Sequence, residues 1–291
     1  MLKLWKITLF GIIATIIVII WIFVIGISSD QPGSFYNKDE NAVWLERTWV
    51  TEKNSTEEIG DLVRHLKSQG IKTVFVHSGP LNEDGTIDSD TYHSLTKFLE
   101  EARKFNNDIE YQAWLGQLRK KIDLSKFEIR HEIANQCLTL TEIVGFDGIH
   151  YDIEPVWDED YDFIELLRET NAILADDKKL SVALAEFIPS SVIWLLEDVR
   201  EFENYNTEEN YRNVALYADQ IVVMVYDTSI QQDWLYRWMV KEQTIRVTSL
   251  IEDKEVFIGI PSYEEESEAF NPKVENIENA LKGVIDGLNN I

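Results

Sequence analysis

The chain has 291 residues, with 27 basic against 52 acidic side chains and a formal charge of −25; apolar residues make up 45% of it and aromatics 11%. That composition excludes a disordered polymer and supplies a large core, while the charge repels nucleic acid, which is not expected as a partner. Cys137 is the only cysteine, which excludes an intrachain disulfide and a structural zinc–thiolate site.

Residues Ile7 to Ile27 carry no charge, and at about 1.5 Å per helical residue they reach roughly 30 Å, the thickness of a bilayer core. Lys3 and Lys6 precede this run and Asp30 follows it, so the positive-inside bias predicts a single-pass anchor with a cytoplasmic N-terminus and an extracytoplasmic body. The run is longer than a signal-peptide core and ends Ile-Ser-Ser-Asp rather than in a small-x-small cleavage site. Residues 1–29 are therefore expected to be a cytoplasmic stub and transmembrane anchor, with the bilayer as a partner through residues 7–27. Residues 30–42, with Pro32 and Gly33, read as a tether.

From residue 43 to 291 the chain alternates β-rich runs with helical patterns. The expected strands are Val43–Trp49, Lys72–His77, Ile109–Gly116, Gly148–Ile153, Leu180–Phe187, Gln220–Tyr226 and Glu255–Ile260. Apolar residues at three- and four-residue spacing predict helices over Thr56–Ser68, Ser89–Phe105, Lys126–Ile143, Tyr161–Ala175, Gln232–Val247 and Val274–Gly287. Strand–helix repetition over this length implies an α/β fold, a (β/α)8 TIM-type barrel that is incomplete at strand 8, because no eighth strand is evident after the seventh. Cys137 falls among apolar neighbours on a predicted helix and is expected to be a buried thiol.

The segment Gly145-Phe-Asp-Gly-Ile-His-Tyr-Asp-Ile-Glu-Pro155 is the most informative. Side chains alternate across a strand, so His150, Asp152 and Glu154 share one face, and Ile149, Tyr151 and Ile153 the other. The polar set is expected to line the barrel interior toward its C-terminal mouth, where this fold keeps its active sites. A row of ionisable groups on an inward face is costly unless hydrogen-bonded or used.

This segment resembles the signature of glycoside hydrolase family 18, the chitinases and endo-N-acetylglucosaminidases, Asp-Gly-x-Asp-x-Asp-x-Glu at the end of the fourth barrel strand. Asp147, Gly148, Asp152 and Glu154 match it, and His150 stands where the family has its middle Asp. Met224-Val225-Tyr226-Asp227 matches the family's sixth-strand Met-x-Tyr-Asp, and Gly259-Ile260-Pro261-Ser262-Tyr263 matches a looser seventh-strand Gly-x-Pro-x-Tyr. The family's Trp on the eighth strand has no visible counterpart.

The resemblance implies a retaining, substrate-assisted glycoside hydrolase acting on an N-acetylhexosamine-containing polysaccharide or glycan, an exception to the two-carboxylate scheme. Glu154 would be the general acid and then the base. Asp152 would orient and stabilise the 2-acetamido group, and Tyr226 would hydrogen-bond it. Asp227 and Met224 would support the cleft, Asp147 would act structurally at the strand entrance, and Tyr263 would lie nearby. Histidine at 150 can donate a hydrogen bond to Asp152 and, if protonated, would favour the ionised carboxylate, but it cannot reproduce a carboxyl pair.

Other residues at expected strand ends are Arg47, Trp49, His77, Trp114, Gln117 and Glu186. Trp114 and Trp49 suit either core packing or stacking on a sugar, and Glu186 is a candidate supporting acid. No cofactor and no metal are expected. Two other readings compete: a catalytically silent carbohydrate-binding barrel at the cell surface, motivated by His150 and the missing strand, and a metal-dependent phosphodiesterase using His150, Asp152 and Glu154 as ligands.

Overall fold

The computed structural model describes residues 37–51, 53–189, 205–262, 265–267 and 269–291. The expected span over residues 7–27 lies outside the described residues, as does Tyr263. Among the described residues no helix is long and apolar enough to cross a membrane.

Two compact units are present. The larger comprises residues 37–225 and 246–259, and the smaller includes the described residues within 226–245 and 260–291. The larger holds one parallel sheet in sequence order, from β1 (Asn41–Leu45) through β2 (Ile71–His77), β3 (Glu110–Leu118), β4 (Gly148–Glu154), β5 (Lys179–Leu184) and β6 (Gln220–Met224) to β7 (Glu255–Gly259). The sheet curls on itself: a Cβ added at Gly259 on β7 would sit 3.1 Å from the Trp44 ring on β1, and the Phe75 and Phe257 rings of β2 and β7 meet edge-on at 6.5 Å. This is a nearly closed seven-stranded barrel.

Helices follow the strands as the periodicity predicts, with differences at the ends. Leu45 ends β1 early, because the chain turns into the short helix α1 (Thr48–Thr51), whose open carbonyls at Thr48 and Trp49 accept from the Asn54 amide. Trp49 is therefore a helical residue. Helix α2 (Thr56–Ser68) starts at a reciprocal capping box between Ser55 and Glu58, which satisfies two otherwise orphaned donors. Helix α3 spans Ser89–Arg103, α4 spans Phe127–Thr139 and continues through a π-turn to Val144, and α5 spans Tyr161–Ile173. Helix α6 (Glu208–Ala215) has no counterpart in the expected pattern. Strands β5 and β6 stop at Leu184 and Met224, two or three residues short of expectation.

The barrel interior is layered and polar at its entrance. Lys179 Nζ lies 3.2 Å from carboxylate oxygens of both Glu110 and Glu255, and above them Gln112 donates to Gln220 at 2.6 Å. Gly148 is required between the strands, since a Cβ there would overlap the Lys179 carbonyl. Helices cover the outer face. Helix α7 (Asp233–Leu250) leads toward β7, and α8 (Ile277–Leu288) ends the chain. Within the smaller unit, Gly283 and Gly287 on one face of α8 let it approach Val240 and Thr244 of α7 closely.

Arg119, just past β3, is buried and grips Asp160 through Nε at 2.9 Å and Nη2 at 3.1 Å. Asp160 also caps α5 by accepting from the Phe163 amide. Removing one partner of a buried ion pair strands the other charge. Asp160→Ala is expected to lower the free energy of unfolding by about 3 kcal/mol, read from urea titrations, and a loss below about 1 kcal/mol would place this pair among the weakly coupled surface ones.

Candidate active site

The pleat of β4 separates two environments. Outward, Tyr151 is fully buried against the helices, its hydroxyl within 2.8 Å of Thr170 Oγ1 on α5 and 3.1 Å of Cys137 Sγ on α4. Burial pushes the Cys137 thiol up to about 12, so it is a buried, unreactive thiol. Inward, His150 pairs in register with Trp114 on β3 and Ser181 on β5, and Asp152 pairs with Gly116.

His150 is fully buried. Its ring stacks on Phe75 at 3.9 Å, and Trp44 approaches edge-on. The Trp44 indole N–H donates to Nε2 at 3.0 Å, so Nε2 holds a lone pair and Nδ1 carries the proton, donating to Ser181 Oγ at 2.9 Å. Burial drives its pKa down to about 3. The expected hydrogen bond from His150 to Asp152 is therefore corrected: both ring nitrogens are engaged by other residues, and the ring is neutral. A metal-ligand role fails for the same reason, because the one unprotonated nitrogen is already capped by an indole. Among the described residues no group of three His, Cys, Asp or Glu is arranged to hold a metal ion.

Asp152 accepts from the Trp114 indole N–H through Oδ2 at 2.8 Å. Its Oδ1 is buried and, among the described residues, has no partner, which is costly unless something else supplies a donor. Burial raises the carboxyl above its usual range, and the Trp114 bond opposes this only in part. Trp114 in turn meets the His77 ring edge-on at 5.2 Å. Burial and the nearby Arg47 charge lower the His77 pKa, keeping that ring neutral near pH 7.

Glu154 is the last residue of β4, opposite Leu118 in the ladder, and is partly exposed. Asp147 lies at the opposite end of the strand. It accepts from Arg103 at 3.0 and 3.1 Å and from the Tyr111 amide at 2.9 Å, fastening the starts of β3 and β4 to α3, away from the carboxylates at the other end. Met224 closes β6 with its side chain buried. Glu186 lies beyond the end of β5, its backbone carbonyl accepting from the Asn206 amide.

Tyr226 and Asp227 follow β6 directly and belong to the smaller unit. Asp227 is exposed, with a positive φ of 58°. Thr228 beside them donates its hydroxyl to the buried Glu275 at 2.8 Å and its amide at 3.2 Å, which pins the loop. Burial raises the Glu275 pKa, and the neighbouring Asp227 charge adds to the shift.

Sequence reasoning passed over Trp44, Ser181 and Glu275, and also Trp157. Trp157 lies just after Glu154, is 38% exposed, and carries the Arg119 guanidinium 5.1 Å from its ring centroid. A ring supported on one face and open to solvent is a ready stacking surface. An exposed Trp in a loop bordering an acidic strand end was a legible signal for it.

A nearly closed parallel barrel with carboxylates at the C-terminal end of its fourth strand defines the architectural class. Within it, the profile described as Glycosyl hydrolases family 18 matches residues 47–284, so the chain belongs to that family. No curated protein matches. Among solved structures, the chain resembles the spore cortex-lytic enzyme SleL of Bacillus cereus at 18% identity and TM-score 0.57, covering 75% of this chain and 50% of that one; it thus spans half of SleL's length. It also resembles the chitinase domain of the spore coat protein CotE of Clostridium difficile, at 15% identity, TM-score 0.55 and coverage of 82% and 71%. A family GH18 chitinase from Cycas revoluta, solved with allosamidin, aligns at 15% identity and TM-score 0.56, covering 76% and 68%. At these identities the likeness establishes the fold.

The neutral state of His150 has a signed consequence. Its folded pKa lies far below the unfolded value, so the unfolded chain binds the extra proton, and this group's contribution to stability is complete above about pH 6.5 and erodes as the pH falls toward 3. Asp152, shifted upward, acts oppositely and favours the fold at low pH. Nitrogen NMR of labelled histidine is expected to show residue 150 as the neutral Nδ1–H tautomer at pH 5, and a ring titrating near pH 6.5 would contradict it.

Proposed function

We propose that this chain is a membrane-anchored, extracytoplasmic glycoside hydrolase that cleaves an N-acetylhexosamine-containing glycan by retaining, substrate-assisted chemistry. The observation that carries the reading is the Asp152 carboxyl: one oxygen is held by Trp114, and the other is buried without a donor among the described residues, on a strand that ends at Glu154. The N–H of a 2-acetamido group is the donor that Oδ1 lacks.

In this reading Glu154 protonates the leaving glycosidic oxygen while the acetamido carbonyl oxygen attacks the anomeric carbon. The bond to the leaving group breaks and a cyclic oxazolinium forms. Asp152, ionised, holds the N–H and stabilises the positive charge that develops there. By the family resemblance Tyr226 would hydrogen-bond the same acetamido group, and Asp227 would support the cleft. Glu154, now a base, takes a proton from water, which opens the intermediate with net retention. Residues 7–27 would hold the body at the outer face of the membrane. Cell-wall or exported glycans are then the accessible polymers.

The tie of His150 to Trp44 and Ser181 favours one alternative, a barrel that binds carbohydrate without cleaving it, because residue 150 offers Asp152 no proton relay. Product formation separates the two. On a chitin oligomer or glycan strand that the parent cleaves, Glu154→Gln is expected to lower kcat by at least about 100-fold while ligand affinity persists. Hydrolysis by the variant at the parental rate removes Glu154 from the chemistry, and binding with no product from the parent after long incubation selects the silent barrel.

Trp114→Phe tests the role of Asp152 independently. Losing a hydrogen bond to the charged form raises the carboxyl further, so the acid limb of the kcat/KM profile is expected to move toward higher pH. An unmoved limb would mean that another group sets it.

A further inference from the structure

At the same end of the barrel as Glu154, beyond β1 and β2, lies a small open recess of about 20 Å³ lined by Arg47, Thr51, His77, Asp88 and Thr91, with the Gly79–Pro80 turn and Val50. Arg47 is its cation. The chain carries 52 acidic side chains against 27 basic ones, yet among the described residues no carboxylate forms an ion pair with Arg47, which is exposed. Its charge reaches His77, whose ring packs on Trp114, whose indole holds Asp152. The recess is thus connected to the carboxylate pair by one continuous line of packed side chains.

We infer that this recess is an anion-accepting subsite, in which Arg47, with donors from His77 and Thr91, takes a carboxylate substituent on the glycan. The inference rests on the hydrolase reading above and narrows its substrate to an acidic glycan, with lactyl-ether or uronic carboxylates on the sugar chain. Three features support it. A planar guanidinium matches a carboxylate through two parallel bonds. The neutral imidazole contributes an N–H without a competing charge. Thr51 already donates its hydroxyl to the Arg47 carbonyl at 3.1 Å, which fixes the backbone that presents the arginine. Asp88 is the counter-argument built into the site: it lines the recess, its Oδ1 3.4 Å from the Asn82 amide, and would repel an anion. That makes it a control of opposite sign.

The test uses the full chain carrying Glu154→Gln, so that ligand is not consumed, with binding read by calorimetry. The probes are a glycan tetramer bearing lactyl carboxylates on alternate N-acetylhexosamines and the same tetramer with those carboxyls reduced to alcohols. The acid form is expected to bind about tenfold more tightly than the reduced form, about 1.4 kcal/mol. Arg47→Gln brings the ratio close to one, Asp88→Asn raises it, and added salt lowers it. Equal binding of the two forms, an Arg47→Gln loss shared by both, or a weaker acid complex in Asp88→Asn overturns the subsite. The hydrolase reading is judged separately, by whether the parent releases product from either tetramer. Cleavage without preference sinks only the subsite, preference without cleavage sinks only the hydrolase reading, and binding of neither sinks both.

Discussion

A neutral imidazole held between an indole and a hydroxyl at the centre of the barrel fixes everything around it. His150 ties β4 to β1 and β5 through side chains, since Trp44 reaches it from the first strand of the sheet and Ser181 from the neighbouring strand. Phe75 closes its remaining face. A ring so enclosed cannot take up a proton without losing both its solvent-free packing and its acceptor bond to Trp44. Asp152 lies in the next layer, its carboxyl raised by burial and steadied by the hydrogen bond from Trp114.

The layers below His150 show why the barrel tolerates polar filling. Lys179 sits between Glu110 and Glu255 at the entrance, partly open to water, where desolvation is incomplete. Gln112 and Gln220 follow, then the aromatic layer of Trp44, Phe75 and His150, then Trp114 with Asp152. Charge is paired at the bottom and absent in the middle. At the C-terminal end of β4, among the described residues, one oxygen of Asp152 has no donor. Such an orphan is the kind of cost a fold retains where a ligand offsets it.

Much of this was legible in the sequence because period-two alternation is unambiguous over Gly148–Glu154. It put His150, Asp152 and Glu154 on one face and Tyr151 on the other, as the bonds of Tyr151 to Cys137 and Thr170 now show. The partners of His150 were not legible. Trp44 lies 106 residues away, and no local pattern states which rungs of distant strands share a layer. Extending β1 to Trp49 compounded this by drawing attention to the wrong tryptophan, although Asn54 and the turn at Thr48 ended the strand sooner. The missing eighth strand was a sound reading of the pattern for the described residues: seven strands form the ladder, and β7 comes near β1 through Trp44 and Gly259 rather than through backbone bonds.

An imidazole at position 150 gives Asp152 a different neighbour from a carboxyl. Two adjacent inward carboxyls can share a proton, so that the second turns and ionises as the first is neutralised. Here that exchange is impossible, because residue 150 presents no titrating group above about pH 3 and no free nitrogen toward Asp152. The Asp152 Oδ1 is left buried and, among the described residues, without a donor. Burial holds the Asp152 carboxyl above its usual range, and the Trp114 hydrogen bond opposes that only in part.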